Sequence, residues 1–410
     1  MSGRAVSLRL HGRPFARLQE EGSEGGRLSY LLAFEPAWLA WRPRPLVSLQ
    51  LRDRRLEWPR RLATLPPWLT NLLPEQGSPF RRRAARAAGL AEDDAFGLLA
   101  AVGGDMLGAI TAVPTEAGAI VPVVSEGASA SGPLRLRHSL PGMQLKFSVD
   151  RTDRLVLPAD GRGGKWILKV PSRAHSSLAR AELAAMLWAR AVGFTVPDVE
   201  VVDPATVEGL AADAREGVPE ALIVRRFDRQ DDGSPVHMEE VAAALGVHPE
   251  DKYCDDLRGP HHSLVTIGRL LHALAPQDGG VFFRRVIFDV LVGNGDAHLK
   301  NWALLYPDGH KPRLAPAYDI VPTILYGDHD LALGFAGGKS FHAVDRGRIR
   351  QYAAKIKADP DGLEATAREL VEAALDTFSA SMREAGLGGE LVGQLVSHHR
   401  QLPVVRDLLG

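Results

Sequence analysis

Three polar residues in the second half of the sequence have the types and the spacing that phosphoryl transfer requires. Asp296 and Asn301 lie in a loop after the apolar run 281–292, and Asp319 follows eighteen residues after Asn301. In kinase-type transfer, one carboxylate accepts the proton of the attacking hydroxyl, while an asparagine and a second carboxylate hold magnesium against the phosphates. The pattern therefore predicts that Asp296 is the proton acceptor and that Asn301 and Asp319 are metal ligands.

The elements that position these residues are predicted from the same stretch. Gly293 ends the apolar run, which is typical of a helix, and the apolar strand 302–306 is followed by a turn at 307–309. The chain then returns toward Asp319. The alternative is purely structural, because carboxylates and amides of this kind are also common in turns and helix caps.

Lys169 is the candidate for a cation that binds phosphate. It lies within the apolar β run 166–170, where an unpaired ammonium group would cost several kcal/mol. Glu182, on a helix predicted from Ser177 to Val192, is its expected partner. Protein kinases pair a strand lysine with a helix glutamate in this way, and the lysine reaches the nucleotide phosphates. A lysine at a sheet edge with its ammonium group in water is the alternative.

The composition excludes several classes of protein. Of the 410 residues 45% are hydrophobic and 24% are charged, which predicts a globular protein of two or three domains. The formal net charge of -1 argues against bulk attraction to nucleic acid or to membranes. The only cysteine, Cys254, excludes an intrachain disulfide, and no apolar leader or run of eighteen apolar residues occurs. We therefore expect the cytoplasm as the compartment.

A β-rich half of the chain precedes an α-rich half. Strands are predicted at 46–52 and 106–110, and a linker rich in Ala, Gly, Ser and Pro is predicted between 114 and 132. After Asp319 three helices are expected, at about 344–357, 362–384 and 389–399.

Two groups of polar residues lie outside the predicted site. The basic turn at 81–86 is predicted to be a solvated helix face, with phosphate or partner binding as the alternative. The histidine pairs at 261–262 and 398–399 lack the spacing of a zinc site, so we expect them at the surface.

Several blocks of the sequence match one family when they are taken together and in order. The chain resembles the HipA-like serine/threonine kinases, the toxin component of a bacterial toxin–antitoxin pair. The matching blocks are 72–75, 94–96 with 98–99, 104–109, 139–146, 167–169, 224–229, 252–253, 295–301 and 318–320. They are spread over most of the chain, and their order and spacing are more specific than any single motif.

The resemblance implies an α+β fold. It is a two-lobed protein-kinase-like fold with a β-rich N-lobe, an all-α C-lobe and an additional N-terminal α/β subdomain. The implied boundaries are 1–118 for the N-terminal subdomain, 119–229 for the kinase N-lobe and 230–410 for the helical C-lobe. The resemblance also implies ATP and Mg²⁺ as cofactors and phosphorylation of serine or threonine in a protein.

The resemblance implies roles for single residues, position by position. Asp296 looks like the proton acceptor, and Asn301 and Asp319 look like the Mg²⁺ ligands. Lys169, in its ion pair with Glu182, looks like the lysine that binds phosphate. The further nucleotide contacts that it implies are the phosphate loop Pro141, Gly142, Met143, Gln144, Leu145 and Lys146, the hinge Arg225, Arg226 and Phe227, and the residues His298, Lys300 and Tyr318.

Regulation and partners are also implied by the resemblance. Ser139 aligns with the family's autophosphorylated serine, and a phosphate there adds about -1.5 to -2 charge, which would repel the triphosphate and switch the enzyme off. The implied partner is a HipB-like helix-turn-helix antitoxin, through which the protein would contact DNA indirectly. The implied substrate is an aminoacyl-tRNA synthetase, such as glutamyl-tRNA synthetase.

The sequence departs from the family pattern at two nucleotide-binding positions. The segment 143–146 reads Met-Gln-Leu-Lys where the family has Ala-Gln-Glu-Lys, and Arg225 replaces the hinge glutamate. These changes and the basic turn at 81–86 keep open a weakly active or inactive co-repressor module bound to a DNA-binding antitoxin. A small-molecule phosphotransferase is a further alternative, since such enzymes share the carboxylate loop.

Overall fold

The computed structural model describes residues 4–22, 28–52, 56–57, 59–115, 144–151, 154–156, 164–254 and 263–409. The chain divides into two compact units, each assembled from three segments of the sequence. The first consists of Met1–Ser176, Val202–Glu250 and Leu305–His310, and the second of Ser177–Val201, Asp251–Leu304 and Lys311–Gly410. Within the described ranges, every helix is too short or too polar to span a bilayer.

The N-terminal part of the first unit is a five-stranded antiparallel sheet. Its strands, in spatial order, are Arg60–Leu62, Leu28–Phe34, Arg13–Gly22, Ala5–Leu10 and Ile110–Pro114. Alternate residues such as Val6 and Leu8 are buried, and they share one core with Phe15 and Trp38. Four helices follow this arrangement: Pro36–Ala40, Pro67–Thr70 and Ala95–Val102 contribute residues to the same core, and Pro79–Ala87 packs against Ala95–Val102. Three of them begin with proline, whose fixed φ and missing N–H suit the first helical position.

The second sheet of the first unit is also antiparallel. The strands Leu155–Val156, Gln144–Arg151, Trp166–Pro171 and Ala221–Arg225 are neighbours in this order. Phe147, Leu168 and Ile223 form an apolar core on one face. Because successive side chains of a strand alternate between faces, Lys146 and Lys169 point to the other face. The strand Met238–Glu240 and the helices Ala212–Arg215 and Val241–Leu245 belong to the same unit.

The second unit is mainly helical. Its helices are Leu178–Ala191, Leu264–Leu274, Gly279–Val292, Arg346–Ile356, Pro360–Ala385, Gly389–Gln401 and Pro403–Leu409. Trp188 packs against Phe288 and Phe378 with ring centroids 4.9 and 5.1 Å apart, so three helices share one aromatic core. Its short strands are Arg313–Leu314, Asp330–Phe335 and Gly338–Ser340, and the strands Val199–Val202 and Ala303–Leu305 contain residues of both units. The helices predicted at 177–192 and 281–292 and the three after Asp319 are confirmed.

The strand predicted at 46–52 is wrong. This segment contains a single 3₁₀ turn, in which the hydroxyl of Ser48 accepts a hydrogen bond from the N–H of Gln50. The same hydroxyl donates to the buried carboxylate of Glu239. A side chain that bonds to the local backbone competes with strand pairing, and the alternating pattern of the sequence does not reveal this.

Two further expectations are wrong. In the segment 106–110 only Ile110 belongs to a strand, because Gly108 has φ +70° and a Cβ there would lie 2.7 Å from the backbone of Met238. His398 and His399 are buried, 6% and 5% exposed, rather than at the surface. The other histidine pair, 261–262, lies outside the described residues.

The basic helix Pro79–Ala87 is only partly solvated. Arg82 and Arg86 are exposed, as predicted, but Arg81 is buried. Its guanidinium donates to the carbonyl oxygens of Pro74 and Glu92, so this arginine has a structural role.

Candidate active site

The loop that carries Asp296 begins at a position that requires glycine. The helix Gly279–Val292 ends at Gly293, which has φ +71° and donates its N–H to the carbonyl of Val290. A Cβ at Gly293 would lie 2.5 Å from Cγ2 of Ile324. The left-handed residue closes the helix and fixes the direction in which the loop leaves it.

Asn294 is fully buried and ties the loop to the preceding helix. Its Nδ2 donates to Oδ1 of Asp289 at 2.8 Å, and its Oδ1 accepts the N–H of Asp296 at 3.1 Å. Burial raises the pKa of the Asp289 carboxyl to about 6, although the positive charge of Arg285 and the bond from Asn294 oppose the rise. The backbone of Asp296 is therefore anchored to a polar pair inside the protein.

The Asp296 carboxylate is 5% exposed and is oriented by a tyrosine. The hydroxyl of Tyr253 donates to Oδ1 at 2.5 Å, a hydrogen bond strengthened by the charge of the acceptor. The backbone carbonyl of Asp296 accepts a hydrogen bond from Nδ2 of Asn301 at 2.7 Å. That bond uses the nitrogen of the amide, which leaves Oδ1 of Asn301 as the atom suited to a metal ion.

Arg285 connects the two segments that carry the predicted metal ligands. This buried arginine projects from the helix before the loop, and its Nη2 donates to the carbonyl of Tyr318 at 2.6 Å and to that of Asn301 at 3.4 Å. Its guanidinium also lies over the ring of Trp302, 4.5 Å from the centroid. One side chain thus positions the backbone next to Asp319 and the backbone of Asn301.

Asp319 has a strained backbone, and its carboxylate influences the pKa of His298. Its φ of +52° is one that residues other than glycine rarely adopt, and such strain is typical of functional sites. Burial, and then the positive charges of Lys252 and Lys300, hold the pKa of His298 well below its usual range, while the Asp319 carboxylate opposes this. The imidazole is therefore neutral near pH 7.

Lys300 and Tyr318, both expected near the nucleotide, are joined to each other. The hydroxyl of Tyr318 donates to the carbonyl of Lys300 at 2.9 Å, and the ring of Tyr318 lies 5.6 Å from the guanidinium of Arg285. The Lys300 side chain is 3% exposed. These contacts hold the segment around Asp319 against the loop that carries Asp296.

In the first unit two lysines lie opposite each other on neighbouring strands. Lys146 and Lys169 are paired in register and are 9% and 4% exposed. Residues directly opposite in an antiparallel pair have their side chains on one face, with Cβ atoms about 4.5–5.5 Å apart. Two buried ammonium groups at this spacing repel each other, and nearby anionic groups are needed to offset this repulsion. Gln144 and Ser148 of the same strand point to this face as well.

A buried ion network holds the expected hinge segment in the first unit. The Nε and Nη2 atoms of Arg226 donate to the two carboxylate oxygens of Asp228, each at 2.9 Å, and Nη1 lies 3.3 Å from Oδ1 of Asp105. The N–H of Gly108 donates to Oδ2 of Asp228 at 2.8 Å. The N–H of Arg226 itself donates to the carbonyl of Lys165. The side chain and the N–H of Arg226 are therefore structural.

The nucleotide contacts expected from the sequence, that of Arg226 included, all stay predictions. Arg225 is half-buried and its guanidinium pairs with the exposed Asp231. The roles of Leu145 and Phe227 rest on the sequence, as does the pairing of Lys169, in the first unit, with Glu182, in the second. The residues Ser139, Pro141, Gly142 and Met143 lie outside the described part of the chain.

Comparison with known families decides the classification. The HipA N-terminal domain matches residues 6–113, and the HipA-like C-terminal domain matches residues 138–378. The chain belongs to the HipA family.

Relatives of this HipA-family protein carry the names of kinases. The protein named "Putative kinase Y4dM" of Sinorhizobium fredii is 35% identical over 413 residues, covering 98% of each chain. The "Serine/threonine-protein kinase toxin HipA" of Shewanella oneidensis is 27% identical over 335 residues, covering 72% of this chain and 70% of that protein. Together with the domain matches, these names place the protein in a family of toxin kinases.

A solved structure agrees with this fold. A chain of the complex of HipA, HipB and operator DNA from Shewanella oneidensis matches with a TM-score of 0.72 at 18% identity, covering 98% of this chain and 96% of that chain. At this identity the match shows the fold, and the two-lobed kinase-like α+β fold expected from the sequence is confirmed.

Membership of the HipA family raises the question of whether the residues present suit a metal ion. Among the described residues no group of three or more His, Cys, Asp or Glu side chains could hold a metal. Mg²⁺ does not need such a group, because it takes one or two protein oxygens and completes its coordination with water and phosphates. Oδ1 of Asn301 and the carboxylate of Asp319 are the donors that this ion prefers, so the residues fit it.

Sequence reasoning missed the residues that support this HipA-family site. Arg285, Asp289 and Asn294 are buried and hold the loop, yet none was predicted to have a role. A signal was present, since Arg285 and Asp289 are charged residues four positions apart within the apolar run 281–292. Charged side chains inside a buried helix are rarely left without a partner.

Proposed function

We propose that this protein is an ATP- and Mg²⁺-dependent serine/threonine protein kinase that acts as the toxin of a toxin–antitoxin pair. The observation that carries the proposal is the scaffold in the second unit. There Tyr253 holds the Asp296 carboxylate, and Arg285 binds the backbone of both Asn301 and Tyr318, the residue before Asp319. Kinase chemistry requires such positioning, because most of its catalysis is orientation and electrostatics.

Asp296 takes the proton of the substrate hydroxyl in this proposal. The hydrogen bond from Tyr253 keeps the carboxylate in one orientation, and the anchor at Asn294 keeps its backbone fixed. Mg²⁺, when bound, supplies the positive charge that offsets the charge of the phosphoryl group in transfer. Asn301 and Asp319 would hold it through their side-chain oxygens.

Lys146 and Lys169 bind the nucleotide phosphates in this proposal. Their adjacent positions on one face of the sheet supply two positive charges, and the match to the family's phosphate-binding lysine supports Lys169. Leu145 and Arg225 change the family pattern, but neither change removes a lysine. Binding of ATP is therefore expected to depend on Lys169 more than on Arg225.

Regulation and partners follow from the family resemblance. Phosphorylation of Ser139 by the protein itself would switch the kinase off by repulsion between the new phosphate and the triphosphate. A HipB-like helix-turn-helix antitoxin is the proposed partner, and the similarity to a chain of a complex with HipB and operator DNA supports this. An aminoacyl-tRNA synthetase, such as glutamyl-tRNA synthetase, is the proposed substrate.

Incubation of the purified protein with γ-labelled ATP and Mg²⁺ tests the proposal. We expect label on the protein, at Ser139 by mass spectrometry, and about a 10²- to 10⁴-fold slower transfer in Asp296→Asn, the usual contribution of a general base. Asp376→Asn, which removes an exposed carboxylate on the helix Pro360–Ala385, should transfer at the wild-type rate.

The outcomes separate the three functions. Label that appears only on a small molecule would favour a phosphotransferase, and micromolar ATP binding without turnover would favour a co-repressor. Calorimetry with Lys169→Met and Arg225→Ala identifies the phosphate site, because only the first variant should lose ATP affinity. Equal transfer rates for wild type and Asp296→Asn would rule out Asp296 as the base.

A further inference from the structure

Two adjacent cavities open in the N-terminal part of the first unit, and the proposed kinase chemistry uses neither. One has a volume of about 360 Å³ and the other of about 310 Å³, and Trp38 and Pro45 line both. Each volume lies in the range of small-molecule sites, which begins at about 300 Å³. Because they share two wall residues, one extended ligand could occupy both.

The walls of these cavities carry positive charge. Among the described residues that line them none is Asp or Glu, although the whole chain has a net charge of -1. Basic side chains concentrated in one place of a nearly neutral protein indicate an anionic ligand. The basic residues of the two cavities are His11, Arg13, Arg42, Arg44, Arg52 and His310.

Aromatic rings lie between these basic side chains. The guanidinium of Arg13 lies over the ring of Trp41, 4.7 Å from its centroid, and Trp41 meets the edge of Trp38 with centroids 5.6 Å apart. Arg42 donates hydrogen bonds to the carbonyls of Leu39 and Trp41, so its position is fixed. Arginine and tryptophan planes stacked in this way are surfaces on which a nucleobase can stack.

We propose that the two cavities bind a short stretch of single-stranded nucleic acid. The arginines would hold phosphates, for which the planar guanidinium is well suited, and unpaired bases would enter the cavities beside the half-buried Trp41. Trp38 is only 3% exposed and forms part of the wall that both cavities share. A duplex can offer its phosphates to the arginines but no base to the cavities, because its bases are stacked inside and reading its groove needs a protruding helix or ribbon. The helix at this site, Pro36–Ala40, has only five residues.

Fluorescence anisotropy with fluorescein-labelled oligo(dT) and oligo(rU), titrated with the full chain, tests this inference. Each titration is run with and without saturating ATP and Mg²⁺, because ATP fills the proposed kinase site but also carries a base and phosphates that compete at the cavities. We expect binding at low salt that weakens as salt is added, with a slope of log affinity against log salt of about -0.7 for each phosphate contacted. The same oligonucleotide in a duplex should bind more weakly.

Three variants locate the site. Arg44→Gln should weaken binding about three- to ten-fold and reduce the salt slope by about 0.7, the loss of one phosphate contact. Trp41→Ala should weaken it about five- to 100-fold, the contribution of one stacked base. Arg173→Gln removes an exposed positive charge outside both cavities, in an ion pair with Glu216, and should change the affinity less than two-fold.

Several outcomes would overturn the proposal. They are no binding at low salt, equal losses for Arg44→Gln and Arg173→Gln, or displacement of the oligonucleotide by poly-glutamate at the same charge concentration. The last result would assign the cavities to an acidic peptide. Circular dichroism of each variant shows whether it is folded. If Trp41→Ala fails to fold, Arg44→Gln still tests the site, because the half-buried Arg44 is not an apolar core residue.

Discussion

The hydroxyl of Tyr253 donates a hydrogen bond of 2.5 Å to Oδ1 of Asp296, and the edge of the Tyr253 ring meets His298 with centroids 5.0 Å apart. The two bonded residues are 43 positions apart in the sequence. The tyrosine is half-buried and follows Lys252, whose charge contributes to keeping His298 neutral. The carboxylate proposed as the base therefore depends on a segment well outside its own loop.

The first prediction concerns this hydrogen bond. Tyr253→Phe keeps the ring against His298 but removes the donor, so the Asp296 carboxylate loses its fixed orientation. We expect kcat for phosphoryl transfer to fall about ten-fold, the order expected when a base is misoriented but not removed. KM for ATP should stay the same. Tyr326→Phe removes a comparable hydroxyl, bonded to Ser177, and should leave kcat unchanged.

The sequence predicted the elements that depend on local pattern. The apolar run 281–292 followed by Gly293 specifies a helix and its end, because periodicity and a left-handed glycine are both local features. The spacing of Asp296, Asn301 and Asp319 identified the loop, and the match of many blocks identified the fold. In each of these cases the information lies within a few residues or in the order of the blocks.

The contacts that support the site could not be read in this way. Tyr253 and Arg285 act on segments that are distant in sequence, and nothing in a single sequence states which pairs meet. The strand predicted at 46–52 is wrong for a related reason. Ser48 donates a hydrogen bond to the buried carboxylate of Glu239, nearly two hundred residues away, and this bond competes with the strand that the pattern favours. Tertiary hydrogen bonds overrode local preference there.

The second prediction concerns the pH dependence of stability. Burial raises the pKa of Glu239 to about 7, against the bonds from Ser48, Leu49 and Tyr306, which lower it. A carboxyl with a raised pKa in the folded state adds stability below its unfolded pKa of about 4.5, and that stability is lost as pH rises through about 7. The total is of the order of 3 kcal/mol.

Glu239→Gln tests this sign. The amide can donate to Ser48 and accept from Leu49 and Tyr306 through its oxygen, but it does not titrate. Urea unfolding of wild type and variant at pH 5 and pH 8 should show that the variant gains stability relative to wild type at the higher pH. Comparing the two proteins at each pH cancels the contribution of His237, which both contain. Burial lowers the pKa of His237 to about 4, so this residue makes the protein more stable as pH rises, the opposite of the effect of Glu239. If the difference in free energy of unfolding between wild type and Glu239→Gln were the same at pH 5 and pH 8, the raised pKa of Glu239 would be contradicted.

The third prediction compares a buried and an exposed ion pair. Asp228 accepts hydrogen bonds from Arg226, Arg229 and the N–H of Gly108, and Asp228→Asn leaves the buried guanidinium of Arg226 with only Asp105, 3.3 Å away, as a counter-charge. We expect a loss of about 3–5 kcal/mol in the free energy of unfolding. Asp231→Asn removes the exposed partner of Arg225 and should cost at most about 1 kcal/mol.

Chemical denaturation of the two variants measures the difference. Both change one carboxylate to an amide within four residues of each other, so composition and local sequence are matched. Similar costs for the two changes would show that the network around Asp228 is solvated rather than buried. Loss of ATP binding in Asp228→Asn alone would further connect the network to the hinge expected at 225–227.

The fourth prediction concerns Gly293, where backbone conformation and crowding combine. Gly293→Ala forces an L-residue into φ +71° and places its Cβ 2.5 Å from Cγ2 of Ile324, while Gly89→Ala has φ +65° and no atom within 4 Å. Both changes incur the cost of a left-handed residue, about 1–2 kcal/mol. Only the first adds overpacking, about 1–3 kcal/mol more.

Unfolding and phosphoryl transfer, measured together, distinguish a general loss of stability from a displaced loop. Gly293→Ala should be less stable than Gly89→Ala and should also transfer phosphate more slowly, because Asn294 and Asp296 follow directly. Ile324→Ala in the Gly293→Ala background removes Cγ2 but keeps Cβ of residue 324, which lies 2.7 Å from the added methyl group. It therefore relieves only part of the crowding and should recover part of the transfer rate, although it creates a cavity. If transfer stayed at the wild-type rate in Gly293→Ala, the direction in which the loop leaves the helix would not control the base. The position of Asp296 would then be set by its hydrogen bonds with Tyr253, Asn294 and Asn301.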